Sequence, residues 1–243
     1  MGFLRGQPDW SHAQARTFTG SGESDLEQSA RRWWPYASII TGEVHFFDDF
    51  EASMIHWNKG NAGGGSLPVL DTAEANSGNQ SVKLVTSGAA NSQSHISRFM
   101  DMPFDNLIGV TCWIKPPNNL GYFEMTLTVY RNLTSQEYRV QYDFGASKIV
   151  IRTGGVYTDL VNPANFVSAA LGFHMVQMTI DADAKTYRAI RIGSFEQLTN
   201  APSATDAAGT QLDEITLQLK YLNASGSAGT MWVDDCIITR KQP

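Results

Sequence analysis

Two groups of carboxylates stand out as residues able to do chemistry. One lies in Phe46-Phe47-Asp48-Asp49-Phe50-Glu51, with Trp57 close behind. The other lies near the far end, in Met231-Trp232-Val233-Asp234-Asp235-Cys236-Ile237-Ile238. Acids set in apolar, strand-like runs suit a hard cation, which is held by oxygen ligands alone. If the first and last strands of a β-sandwich lie side by side, the two groups meet at one ion. Such an ion would brace a rigid scaffold rather than drive a reaction. The plainer reading of Asp48, Asp49, Asp234 and Asp235 is a set of solvated strand ends.

Catalytic patterns are weak by comparison. Retaining glycoside hydrolysis needs two carboxylates about 5–5.5 Å apart, and a Glu-x-Asp-x-x-Glu strand would provide them, but no such strand is present. Asp213-Glu214 is the nearest acid pair, and adjacent strand residues face opposite ways. Arg139-Val140-Gln141-Tyr142 offers fragments of the polar constellation that polysaccharide lyases use on a sheet face, and no Gln-x-His strand is read beside it. The sequence has no Gly-x-Ser-x-Gly elbow, Walker loop or His-Glu-x-x-His helix. The expectation is a protein that is not an enzyme.

The elements that must position these residues are strands. From Glu43 onward, short apolar-alternating runs are separated by turn residues such as Gly154-Gly155 and Asp181-Ala182-Asp183. Strands are expected over 80–86, 94–100, 108–114, 122–131, 138–142, 149–152, 173–180, 186–192, 214–222 and 230–238. In the fourth of these, Phe123, Met125, Leu127 and Val129 share one face, and Glu124, Thr126, Thr128 and Tyr130 the other. One helical turn is expected from Asn162-Pro163 to Ala170. Trp57, Trp113 and Trp232 are expected in the core, and Cys112 and Cys236 as buried free thiols.

Residues 1–43 read differently. They mix Gly, Ser, Gln, Arg and Trp without alternation, and Ser24-Asp25-Leu26-Glu27 fits a capping box for a short helix. Trp10, Trp33, Trp34 and Tyr36 must pack on something, either the chain's own sandwich or a neighbouring subunit. The expected organisation is an extended N-terminal arm, 1–43, followed by one all-β domain, 44–243, in which two antiparallel sheets form a jelly roll.

The 18 basic and 24 acidic residues give a net charge of -6. That argues against nucleic-acid binding, which draws affinity from phosphate neutralisation. No run is apolar enough to span a bilayer, so no membrane partner is expected. No secretory leader is read at the N-terminus.

The stretch Phe50-Glu51, Trp57, Asn76-Ser77-Gly78-Asn79-Gln80-Ser81-Val82-Lys83-Leu84 and Trp232-Val233-Asp234-Asp235 resembles carbohydrate-binding modules of the galactose-binding-like jelly-roll type. The resemblance implies a structural calcium held by side-chain oxygens of Glu51 and Asp234 and backbone carbonyls at Ser77 and Gln80. Gly172-Phe173-His174-Met175-Val176-Gln177-Met178-Thr179-Ile180-Asp181, with Lys185-Thr186-Tyr187 and Ile192-Gly193, is similar to the laminin-G or concanavalin-like lectin pattern. Both imply a jelly roll. Sugar stacking would fall to face-exposed tyrosines among Tyr122, Tyr130, Tyr138, Tyr142 and Tyr157, with Tyr130, Tyr138 and Tyr142 as the selected candidates. The long arm departs from such modules.

Two functions fit these features. The favoured one is a noncatalytic virion protein, a phage capsid decoration or accessory subunit. It would dock on capsid or other virion subunits through its arm, assemble as a homo-oligomer and display a glycan-binding face. The alternative is an extracellular carbohydrate-binding module, free or part of a polysaccharide-degrading system.

Overall fold

The computed structural model describes residues 42–102, 105–117, 121–131, 133–161, 172–193, 195–203, 206–208, 213–223 and 226–240. Among these residues there is no helix, only sixteen strands in two eight-stranded sheets. The all-β jelly-roll expectation is met. The arm with Trp10, Trp33, Trp34 and Tyr36, and the turn expected over 162–170, lie outside the described residues.

The first sheet orders its strands as β13 (Phe195–Leu198), β12 (Thr186–Ile192), β11 (His174–Asp181), β6 (Leu107–Lys115), β16 (Gly229–Arg240), β4 (Ser81–Thr86) and β3 (Val69–Asp71). β1 (Glu43–Asp48) also pairs with β16. The second sheet runs β10 (Val156–Val161), β9 (Lys148–Thr153), β8 (Thr134–Asp143), β7 (Gly121–Arg131), β15 (Glu214–Asn223), β5 (Gln93–Asp101) and β2 (Asn58–Ala62), with β14 (Asp206–Ala208) on β8. All pairings are antiparallel.

Alternation decides which side chains enter the core. Phe123, Met125, Leu127 and Val129 of β7, and Ile215, Leu217, Leu219 and Tyr221 of β15, are buried against Val82, Leu84, Val110, Cys112, Val176 and Met178 of the facing sheet. Their neighbours, among them Glu124, Thr126, Gln218 and Lys220, therefore line the outer face of the second sheet. Trp57 and Trp113 are buried, as expected. Trp232 is not a core residue. It is half-buried on the outer face of the first sheet, where its Nε1 donates to Asp71 Oδ2 at 3.0 Å and Lys83 and Lys115 lie 5.8 and 5.4 Å from its ring centroid. Cys112 and Cys236 are buried free thiols.

In each sheet a strand exchanges one neighbour for another partway along its length. β16 pairs with β4 through Val233↔Val82 and then with β1 from Cys236↔Asp48, and its register against β6 shifts between Asp234 and Ile237. Asp234 and Asp235 thus occupy a bulge, with Asp235 at φ 50°. The second break lies along β8, where β14 covers Thr134–Gln136 and β9 covers Val140–Asp143.

Tyr187, reaching across the core from β12, fills that second gap. Its hydroxyl accepts from the Arg139 backbone N–H at 2.7 Å and donates to the Arg152 carbonyl at 2.9 Å. Tyr142 makes a converse strut from β8, its hydroxyl 3.2 Å from the Arg191 carbonyl. Burial pushes the Tyr187 hydroxyl well up in pKa, so it stays a donor. Tyr187→Phe should strand two buried backbone groups and lower unfolding free energy by about 1–3 kcal/mol. Urea denaturation checks this, and an unchanged midpoint would show the strut to be dispensable.

Candidate functional site

Polar side chains gather in two clusters, one on each sheet. The first plugs the break between β1 and β4. Asp48 ends β1, receiving Phe50 N–H on Oδ1 at 2.9 Å and Trp57 Nε1 on Oδ2 at 2.8 Å. Phe50, at φ 58°, turns the chain so that its ring is buried beside Trp57 at 5.5 Å. Glu51 then reaches the turn before β4, where its Oε1 accepts backbone N–H bonds from Asn79 at 2.8 Å and Gln80 at 3.0 Å. Gln80 Nε2 returns bonds to the carbonyls of Phe50 and Glu51 at 3.0 and 2.7 Å.

The bulge of β16 grips the same turn from the other side. Asp234 Oδ2 accepts from the backbone N–H groups of Asn76 and Ser77 at 2.7 and 3.2 Å. Asp235 accepts from the Asn76 amide and the Ser77 hydroxyl at 2.7 and 2.6 Å. The structure therefore brings Glu51, Ser77, Gln80 and Asp234 to one place. It shows Ser77 and Gln80 turning N–H groups onto the carboxylates. Asp49, which the family pattern does not mark as a ligand, belongs to the same cluster. It is buried, and its Oδ2 has no partner. Among the described residues no three acidic, His or Cys side chains form a ready-made metal centre. The donor set is nevertheless all oxygen, and the orphaned Asp49 oxygen fits a hard cation.

Electrostatics make this clasp costly. Burial, followed by the charges of Asp48, Asp235 and Glu51, pushes the Asp49 carboxyl up to about 7. Burial also raises Asp234, which Asp235 raises further, and burial raises Asp235, with Glu51 adding to it.

The second cluster crosses the outer face of the second sheet at right angles to its strands, and every strand of the main path contributes. On β2, Gly60 leaves room for the imidazole of His95 on β5; a Cβ there would sit 2.3 Å from His95 Nε2. His95 faces Lys220 of β15 in register, and Lys220 forms an ion pair with Glu124 of β7. Gln141 of β8 donates to Glu124 Oε2 at 2.6 Å, and Tyr157 of β10 donates to the same oxygen at 3.0 Å. Arg139 of β8 reaches Tyr157 Oη at 3.0 Å and Glu137 Oε2 at 2.9 Å. Arg152 of β9 reaches Glu137 Oε1 at 2.7 Å. Seven strands spaced by about 4.8 Å make this strip roughly 29 Å long.

Glu124 is only 1% exposed. Burial alone would raise its pKa, but Lys220 and Arg139 outweigh burial and hold it below the usual range. A carboxylate held ionised in this way is a poor general acid. His95 is lowered, first by burial and then by Lys220, which favours its neutral form.

Tyr138 and Tyr142 are fully buried between the sheets, so neither ring is offered to a ligand. This corrects the expectation of sugar stacking, which rests on aromatic character alone; strand alternation places both rings with the core set. Tyr130 is half-buried on the outer face, opposite Glu214. The sequence marks Arg139 and Gln141 as fragments of a polar sheet face, and no Gln-x-His strand is expected with them. The structure corrects this: Gln93-Ser94-His95 is a Gln-x-His run on β5 of the same sheet, far in sequence from Arg139-Val140-Gln141.

Comparisons with known proteins locate the fold. No family model matches the chain, and no curated protein matches it. Among solved structures, the cellulose induced protein Cip1 superposes with a TM-score of 0.53 at 17% identity, over 82% of this chain and 100% of that one. A carbohydrate esterase of the Shiga toxin-encoding bacteriophage phi24B gives 0.52 at 11%, over 82% and 98%. At these identities the likeness is one of fold.

The raised carboxyls fix a direction for pH. A group whose folded pKa lies above its unfolded value contributes stability that is whole below the unfolded value and fades as pH rises through the folded one. For Asp49 that window runs from 3.8 to about 7, and Asp234 and Asp235 act in the same sense. In chelator, the melting temperature should fall between pH 5 and pH 8. Asp49→Asn should flatten the fall and stabilise the pH 8 state by on the order of 1–2 kcal/mol. Thermal melts across that range check it, and a melting temperature that rises with pH would contradict a clasp of buried, mutually repelling acids.

Proposed function

We propose that the chain is a noncatalytic carbohydrate-binding β-sandwich that lays a glycan across the outer face of its second sheet. One observation carries this reading. A single hydrogen-bonded and ion-paired strip takes side chains from β15, β7, β8, β9 and β10, with His95 of β5 in register beside Lys220 and Gly60 of β2 making room for it. Fixed polar groups beside a half-exposed aromatic ring are what a sugar needs, since its ring edges carry hydroxyls and its faces carry C–H groups. Tyr157 is 41% exposed and lies in the strip, with Arg152 stacked 6.0 Å from its centroid. A strip that long accommodates an oligosaccharide.

Cip1 and the phage esterase are described by cellulose induction and carbohydrate ester chemistry. Their fold is compatible with the proposal, and the face supplies its support. A binding role also fits the carboxylates, because Glu124 is locked in ion pairs rather than poised to deliver a proton. The virion reading rests on the arm and gains no observation from the described residues.

Within this proposal the clasp is a structural calcium site. Glu51 and Asp234 would hold the ion with oxygens from the 77–80 turn, as the family resemblance implies, and Asp49 would join them. The ion would neutralise a buried cluster of negative charge and fasten the first strand to the last. Calcium should then raise the melting temperature at pH 8 and leave it nearly unchanged at pH 5. Binding only the folded state at a hundredfold excess over Kd would add about 2.7 kcal/mol. Calorimetric titration detects the ion directly, and no heat and no thermal shift would rule it out.

Glycan binding is tested by affinity electrophoresis of the full chain against a panel of neutral and acidic polysaccharides. Retardation by at least one polysaccharide is expected. Arg139→Ala with Tyr157→Ala should weaken it about 10–100-fold, as expected for losing one or two hydrogen-bonded contacts. Circular dichroism must show the variant folded. Retention unchanged in a folded variant, or no retention by any polysaccharide, would overturn the reading.

A further inference from the structure

We infer that the strip on the second sheet is built for an acidic glycan, one whose sugars carry carboxylates; this rests on the proposed glycan-binding role. Positive charge exceeds negative charge along the strip. Its two carboxylates are each held by cations. Glu124 serves Lys220 through Oε1, and Gln141 and Tyr157 through Oε2, with Arg139 at 3.8 Å. Glu137 serves Arg152 through Oε1 and Arg139 through Oε2.

Donor capacity remains on the strip's cations. A guanidinium has five N–H groups and an ammonium three. Arg139 Nε and Arg152 Nε are buried without a partner among the described residues. Lys220 has one anionic partner among the described residues, Glu124. Three permanent cations, Lys220, Arg139 and Arg152, face two carboxylates, Glu124 and Glu137, in a chain whose overall net charge is -6. The ligand that completes such a strip must bring acceptors and negative charge. A planar carboxylate matches a guanidinium edge in two parallel bonds.

The surroundings fix where that ligand can lie. Glu214 of β15 and Asp101 of β5 are cross-strand partners toward one end of the same face. Lys148 and Asp159 neutralise each other near β9 and β10, at 2.9 Å. The acid pair would repel a polyuronate laid along the strands. An acidic chain is therefore directed across the strands, along the cations.

The test uses the full chain and one polymer in two states of charge. Polygalacturonate and its methyl-esterified form share a backbone and differ in the sugar carboxylate. Alginate, a neutral glucan and dextran sulfate complete the panel. Polyuronates should bind at least about tenfold tighter than the esterified and neutral polymers, and the gap should close as salt rises. Arg152→Met should narrow it several-fold while circular dichroism stays native. Equal retention by charged and esterified forms, or retention by neutral glucans alone, overturns the acidic assignment and leaves glycan binding standing. Retention by dextran sulfate without polyuronates overturns the carboxylate in favour of a less specific anion. Retention by no polymer at all overturns the glycan-binding role beneath it.

Discussion

The break in the first sheet is the constraint on which the rest of the fold depends. A sandwich whose first and last strands are adjacent must close a ladder between β1 and β16, the described strands farthest apart in sequence. Here β16 closes it with two partners, β4 and then β1, and the exchange leaves a gap one turn wide. Backbone N–H groups exposed in such a gap need acceptors, because a buried donor left alone costs about 1–3 kcal/mol. Glu51 supplies them from the β1 side and Asp234 from the β16 side, while Asp235 takes the side chains of Asn76 and Ser77. The 76–80 turn is thus held by two carboxylate grips that approach from opposite directions. The arrangement exchanges one problem for another, since acids gathered out of water repel one another. A proton or a cation relieves that repulsion, which couples closure of the sandwich to solution conditions.

A second gap, in β8, ties the core to the outer face. Tyr187 crosses from the opposite sheet to satisfy the backbone of Arg139 and Arg152. Those two residues carry the guanidiniums that grip Glu137 on the other side of the sheet. One buried hydroxyl therefore fixes the backbone positions from which two cations of the strip project. Tyr138 packs edge-on against Tyr187 at 5.5 Å, and Tyr142 bonds across to the other sheet. Tyrosine in this core is a strut between layers rather than a surface for ligands. Such struts hold side chains on the far face in place without occupying it, as a preorganised binding surface requires.

Much of this architecture is legible in the sequence. The alternation in Tyr122 to Arg131 sorts core from outer face correctly, because a half-buried strand writes its two environments as a period of two. The acidic motifs at both ends point to adjacent terminal strands, and β1 does pair with β16. Less legible are β2 and β3. Asn58-Lys59-Gly60-Asn61-Ala62 has almost no apolar residue, and it is a strand because β5 offers an unpaired edge. The clasp is half visible. Glu51 and Asp234 can be named, but Asp49 and Asp235 acquire their environments only from the turn at Phe50 and the bulge in β16. The strip is illegible for another reason. Its members sit on six strands, three of them on β8 and one on each of the others, and no local window contains more than a fragment. Finding it requires the strand order, which sets His95 beside Lys220 and Lys220 beside Glu124.

The distribution of unmet polar atoms gives a last physical reason to place function on the second sheet. Folding selects against buried donors and acceptors without partners, so those that persist need explaining. Among the described residues, His95, Thr126, Arg139, Arg152, Glu214 and Thr216 each keep such an atom on the outer face of the second sheet, and Asp49, Thr111, Gln197 and Arg240 keep one on the side of the first. The core between the sheets meets its own needs: Tyr138, Tyr142 and Tyr187 all find acceptors there. A face indifferent to ligands would have replaced several of these groups with valines or shorter polar chains at no loss of fold. Keeping long cationic side chains crowded over a buried glutamate lowers stability unless something else completes their bonds. A ligand that does so recovers on binding the interactions that folding left unmade.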